Sequence, residues 1–255
     1  MIKRVAIIIA AAGILLLSLD IAGLVVRPGF TEDAAEGPSG IPGYHYALND
    51  GERLRELLGG PVDQFDLNEA NRVLFGSIVH GAGRRLTPYE NWILYLIGLI
   101  YPPAGKTQDP ERIAAGGVGL CSEVAAVLIR IARINGMSGR FIVLGGHTVA
   151  EIDTGEGWRV ADPDYGVAYE LGLSELEGEK GVSMIRNALK GGGYPDSVIE
   201  KYTGYFQSSN NNMVLEEGEV PSPGLYRLER SAELLKWIIP ALLIISGAFM
   251  AGRKR

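Results

Sequence analysis

The chain has 255 residues, 47% hydrophobic and 21% charged, a composition that excludes a disordered tail and a disulfide-stapled miniprotein. Its single cysteine forbids an internal disulfide, and a net charge of −6 argues against a general nucleic-acid binder, which needs a basic face to neutralise phosphates. The charge is uneven: residues 1–27 sum to +2 and residues 233–255 to +3, leaving −11 in the middle. Basic ends around an acidic middle suggest a membrane layout.

After Lys3 and Arg4 (residues 1–4) comes VAIIIAAAGILLLSLDIAGLVV (5–26), 22 residues with one charge, Asp20. As a helix it covers about 33 Å, enough to span a bilayer core. Its length, and the lack of an A-x-A site after it, favour an uncleaved signal anchor over a cleaved signal peptide. Asp20 is expected near the interface or protonated against a neighbouring helix. Residues 27–43 are rich in Gly, Pro and acid and read as a linker. Residues 44–215 are long enough for one domain with its own core, and 216–233 read as a second linker. LLKWIIPALLIISGAFMAG (234–252) then reads as a second span, interrupted by Pro240, with Lys236 able to snorkel beside Trp237. Arg253, Lys254 and Arg255 (253–255) follow. Basic residues just outside both runs predict a two-pass cell-membrane protein with both termini cytoplasmic and the middle domain extracytoplasmic.

Within that domain, helices come first. Asn49–Leu58, Asp66–His80 and Thr87–Tyr101 carry helical patterns. The last contains WILYLIGLIY, which is too short to cross a membrane and ends at Pro102 and Pro103, so it is expected as the central buried helix. A glycine-rich break, Gly116–Gly119, precedes a helix starting near Cys121. There Val124, Leu128, Ile131 and Ala132 share a face, and Asn135–Gly136 supplies the stop. The period then changes to two: Arg140–Leu144, His147–Asp153 and Trp158–Asp162 read as strands, the last two joined by a turn at Thr154–Gly157. Val182–Leu189 and Asp196–Phe206 read as short helices and Ser208–Asn212 as a polar loop. Helices followed by antiparallel strands define an α+β domain.

The hairpin register carries a geometric claim. An even-numbered loop makes paired positions sum to 311, so His147 shares a face with Asp162 and Asp164. Asp162 becomes its diagonal neighbour, roughly 7–8 Å away between backbones. Cys121, entering a helix from a glycine-rich loop, sits where unpaired N–H groups and the helix dipole favour a thiolate. Nucleophile, base and orienting carboxylate are the three parts of a thiol-based acyl-transfer site. Each has a blander reading: a lone cysteine is usually a small buried hydrophobe, a lone histidine a structural one, and Asp162–Pro163 a turn. Glu123, in the first helical turn, is expected to complement the dipole. His45 and His80 lie far from this stretch and show no ligand-like spacing, so neither a metal site nor a cofactor is expected.

The segment GVGLCSEVAAVLIRIARINGMSGRFIVLGGHTVAEIDTGEGWRVADPDYG, with Cys121, His147 and the W-x-x-x-D-P run Trp158–Pro163 in that order, resembles the core of the transglutaminase-like superfamily of papain-like thiol enzymes. The resemblance covers about 50 residues and stops short of the spans. It implies a papain-like fold, a helical half plus an antiparallel sheet, and a catalytic triad of Cys121, His147 and Asp162 acting on a peptide or protein carboxamide through a thioester. Hydrolysis or transamidation would follow. The backbone N–H of Cys121 is a natural oxyanion donor, and Trp92, Tyr101 and Gln108 are open candidates for the second. The rival expectation is a non-catalytic scaffold or binding module in cell-envelope assembly that keeps the fold without its chemistry and meets envelope protein partners.

Overall fold

The computed structural model describes residues 2–26, 51–207 and 212–252. It is a mixed α+β protein with a five-stranded antiparallel sheet and a long apolar helix at each end, both long and apolar enough to cross a membrane. The expected linker 27–43, His45, the basic tail 253–255 and most of the polar loop lie outside the described residues. The chain forms two compact units: residues 51–84, 109–207 and 212–221 build one, and residues 2–26, 85–108 and 222–252 the other.

The first unit is organised around its sheet. Helices α2 (Gly51–Gly59) and α3 (Leu67–Ser77) lead to the two-residue strand β1 (Val79–His80). Asp66 caps α3, its carboxylate accepting the N–H of Asn68 at 2.8 Å; such a cap is worth about 1 kcal/mol. The expected helix over 66–80 therefore stops at Ser77, and His80 is strand. The short helix α5 (Pro110–Gly116) precedes β2 (Val118–Gly119), which pairs in parallel with β1, His80 lying opposite Gly119. Helix α6 (Cys121–Ile134) begins at the cysteine.

Strands β3 (Ser138–Leu144), β4 (His147–Asp153), β5 (Trp158–Asp162), β6 (Val167–Ala168) and β7 (Met213–Val214) complete the sheet in the order β6-β5-β4-β3-β7. In the β4–β5 hairpin Asp153 pairs with Trp158 and Ala150 with Ala161, the expected register. Strand alternation divides the side chains between two cores. Phe141, Ala150, Ile152 and Ala161 pack with Val124, Leu128 and Ile131 of α6 and with α3. Ile142, Leu144, Val149 and Val160 pack with α8 (Glu179–Gly191) and α9 (Asp196–Gln207), which follow the single-turn α7 (Leu173–Leu176). By parity His147 and Asp162 belong to this second face.

The other unit differs from expectation in two ways. Helix α10 (Pro223–Gly252) starts within the stretch 216–233 read as linker. Proline at its first position is compatible with a helix start, and Glu229 ties its first half down, accepting the Thr107 hydroxyl at 2.6 Å. The helix carrying WILYLIGLIY, α4 (Pro88–Ile100), is not the centre of the sheet domain; it packs against α1 (Ile2–Val25) and α10. Helices α1 and α10 run antiparallel in close contact: a Cβ on Gly13 would lie 2.7 Å from the Pro240 carbonyl, and one on Gly247 2.7 Å from that of Ala6. Ala6, Gly13 and Asp20, seven apart, form the buried seam of α1, the spacing of supercoiled helices. Asp20 is thus turned inward, with Lys236 and Trp92 among its neighbours.

Leu128 is fully buried where α6 meets the sheet. Leu128→Ala is expected to lower stability by roughly 2–5 kcal/mol, read as a lower urea midpoint with an unchanged slope.

Candidate active site

The loop Gly116–Leu120 sets the start of α6. Gly119 is pressed there: a Cβ would meet the side chains of Glu123, Ile113 and Val124, each at 3.3 Å. Glu123 does more than balance the dipole, because its carboxylate accepts the Leu120 N–H at 2.9 Å and closes the first turn. Cys121 is the first helical residue and is half-buried, neither sealed in the core nor fully open. Its N–H belongs to the first turn, where N–H groups find no acceptor within the helix.

His147 opens β4. Its Nε2 meets Asp162 Oδ2 at 2.6 Å, with only 6% of the histidine and none of the aspartate exposed. With Nε2 occupied by the carboxylate, Nδ1 is the nitrogen left for the sulfur. The Cys121 side chain is close enough to the ring to add a hydrogen bond and its charge. Burial pushes the imidazole's pKa down, but the charge and hydrogen bond of Asp162, joined by Cys121, outweigh that and hold it well above its ordinary value. The structure therefore joins two of the three expected residues, His147 and Asp162, by a hydrogen bond, with Cys121 in the neighbourhood of the ring.

Asp162 is fixed in turn by the tight turn at its end. Its Oδ1 accepts the N–H of Asp164 at 2.9 Å and of Tyr165 at 3.3 Å. Gly166 completes that turn with φ +65°, and a Cβ there would also lie 2.8 Å from the Phe75 ring, so only glycine fits without strain. Three tyrosines enclose the imidazole. Tyr205 stacks on it at 5.4 Å, Tyr165 meets it edge-on at 5.4 Å and Tyr202 lies at 5.9 Å. Burial, with the negative charge of Asp162 nearby, pushes the Tyr165 and Tyr202 hydroxyls well up, so they stay protonated and neutral.

One feature escaped the sequence. His80, expected to stand apart, has its Nδ1 2.6 Å from Asp164 Oδ1, forming a second imidazole–carboxylate pair two residues from the first carboxylate. The hydrogen bond to Asp164 raises the His80 pKa, with burial opposing it. Asp164 is itself pushed up, mainly by burial and further by the charge of Asp162, with the hydrogen bond to His80 opposing this. No spacing rule could have found His80, because it arrives through the β1–β2 pairing beside Gly119. The tyrosines left a faint trace in the helical spacing of Tyr202 and Tyr205.

The candidates for a second oxyanion donor, Trp92, Tyr101 and Gln108, belong to the unit built by the terminal helices. There the Gln108 side chain donates to the Thr107 carbonyl at 3.3 Å and Tyr101 is exposed. Among the described residues no cluster of His, Cys, Asp and Glu could hold a metal ion. Comparison with protein-family models, with curated proteins and with solved structures gave no match to this chain.

A raised histidine pKa ties stability to pH. The folded imidazole of His147 binds its proton more tightly than the unfolded one, at about 6.5. Its contribution is therefore fully present below about pH 6.5 and lost as pH rises through the raised value. Asp162→Asn is expected to move the His147 titration, followed by NMR of the ring protons, downward and to weaken this loss on the alkaline side.

Proposed function

We propose that the chain is a membrane-anchored thiol hydrolase or acyltransferase of transglutaminase-like, papain-like fold, acting on peptide or protein amides outside the membrane. The observation that carries this reading is the 2.6 Å His147–Asp162 bond, with Cys121 near enough to the imidazole to add to its raised pKa. A carboxylate on Nε2 holds one tautomer and stabilises the imidazolium, which fits a base serving a nucleophile at Nδ1. The half-buried position of Cys121 favours this reading over a scaffold whose thiol is packed away.

In the proposed reaction the Cys121 thiolate, its proton already resident on the His147 imidazolium, attacks the carboxamide carbon. The C–N bond then breaks, the imidazolium hands its proton to the departing amine, and a thioester remains. Water or a second amine, deprotonated by His147, attacks the thioester and releases the sulfur. The N–H of Cys121 would meet the oxyanion.

The membrane part of the proposal rests on the two apolar terminal helices and their antiparallel packing, which would put both ends on one side of a bilayer. Lys3 and Arg4 at the start of the first helix and Arg253, Lys254 and Arg255 after the second apolar run favour the cytoplasm as that side.

Three measurements test these claims. Iodoacetamide is expected to alkylate Cys121 rapidly in the full chain, with a pH profile that shifts in His147→Ala. Turnover of amide substrates from a panel of envelope peptides and glutamine-containing proteins, followed by mass spectrometry, is expected to vanish in Cys121→Ala and to fall roughly 10²–10⁴-fold in His147→Ala. Slow labelling, flat in pH and indifferent to His147, would remove the catalytic reading and leave the scaffold. A reporter fused after Arg255 is expected to be active only in its cytoplasmic form, such as green fluorescent protein, and silent as a periplasm-dependent phosphatase.

A further inference from the structure

Helix α4 leaves a large aliphatic face uncovered. Its exposed stripe is Leu96, Leu99 and Ile100, at 52%, 60% and 90% exposure, positions i, i+3 and i+4 of one face. The side it buries carries Leu94 and Gly98 and, at its start, the polar Glu90 and Asn91. A surface helix in water turns polar side chains outward, and three large aliphatic side chains on one bare face suit an apolar solvent.

Of the buried polar groups in this unit, Asp20 and the Trp92 indole nitrogen have no hydrogen-bond partner among the described residues, whereas those around the break in α4 are answered. Asn91 has an extended backbone and breaks the helix, and its side-chain oxygen then accepts the Leu94 N–H at 3.0 Å, capping the wholly apolar stretch Trp92–Ile100. The Asn91 amide donates to Glu233 at 3.1 Å, and Lys236 donates to the Glu90 carbonyl at 2.8 Å. At the far end the chain turns without leaving a bare donor. Tyr101 N–H goes to the Ile97 carbonyl and Ala104 N–H to that of Tyr101, while Pro102 and Pro103 have no N–H. The returning Leu86 N–H bonds to the Gly105 carbonyl at 2.7 Å. Backbone that departs from a helix at membrane depth is tolerated only when its polar groups are satisfied in this way.

The apolar surface is also continuous with that of the terminal helices. A Cβ on Gly23 of α1 would fall 1.7 Å from the Tyr89 carbonyl, so α4 starts in direct backbone contact with the C-terminal end of α1. Exposed Ile21, Leu24 and Val25 of α1, and Leu234 and Leu235 of α10, belong to the same end of the helix pair. At about 20 Å the helix is too short to cross a hydrocarbon core of about 30 Å.

From this juxtaposition we propose that α4 is a third bilayer element: a non-spanning helix whose Leu96, Leu99 and Ile100 sit in the acyl chains of the leaflet that holds Gly23 and Lys236. Its occupant is lipid hydrocarbon, and it converts a two-helix tether into a three-helix anchor. The proposal rests on the reading of α1 and α10 as spans and is independent of the thiol chemistry.

The test uses the full chain with Cys121→Ser, in vesicles of phosphatidylcholine and phosphatidylglycerol, carrying one new cysteine labelled with an environment-sensitive fluorophore. Leu99→Cys and Ile100→Cys probe α4, Ile14→Cys and Leu242→Cys probe the spans, and Glu156→Cys marks water. Labels at 99 and 100 are expected to emit to the blue of the label at 156, to be quenched by lipids spin-labelled high on the acyl chain, and to resist aqueous iodide. Iodide quenching at 99 and 100 equal to that at 156, with 14 and 242 still in lipid, overturns the wedge alone. All four in water overturns the membrane reading together with it. Shielding at 99 and 100 that depends on protein concentration, with crosslinking between chains, assigns the face to a second copy and also overturns the proposal.

Discussion

The bond between His147 and Asp162 is the interaction on which the sheet unit is centred. Both groups are removed from water, and a charge buried without a partner costs several kcal/mol, so each needs the other. The imidazole keeps its proton because the carboxylate and the sulfur outweigh the cost of burial. The carboxylate keeps its place because two backbone N–H groups of the following turn hold its second oxygen. That turn can be made only with a left-handed glycine pressed against Phe75. Removing the hydrogen-bonded turn would release the carboxylate, and with it the ring.

Around this centre the site is lined by aromatic rings rather than by further charge. Tyr165, Tyr202 and Tyr205 surround the imidazole without competing for its proton, since the environment disfavours ionisation of the first two hydroxyls. The second pair, His80 and Asp164, balances another buried carboxylate two residues away. Two adjacent carboxylates could not both be buried as anions without such partners. The two histidines therefore solve one electrostatic problem together, whatever chemistry the sulfur performs.

The terminal helices belong to a different unit. Their seam includes small residues at Ala6 and Gly13, and the inward-facing Lys236 donates to the Glu90 carbonyl. Helix α4 packs with them, and residues 85–108 belong to their unit although they lie between segments of the sheet unit along the chain.

Local pattern alone was enough for much of this protein. The period-two runs fixed β3, β4 and β5, and the parity of the Thr154–Gly157 turn put His147 and Asp162 on one face, because strand side chains alternate whatever surrounds them. The apolar runs at the ends and the glycine-rich entry to Cys121 were equally plain. Tertiary structure decided the rest. His80 reaches Asp164 through a two-residue parallel pairing that leaves no periodic trace. WILYLIGLIY looked like a core helix because an amphipathic stripe records which side is apolar but not whether protein or lipid covers it. The start of α10 at Pro223 depended on a Thr107–Glu229 contact between segments more than a hundred residues apart, a distance no window of sequence can see.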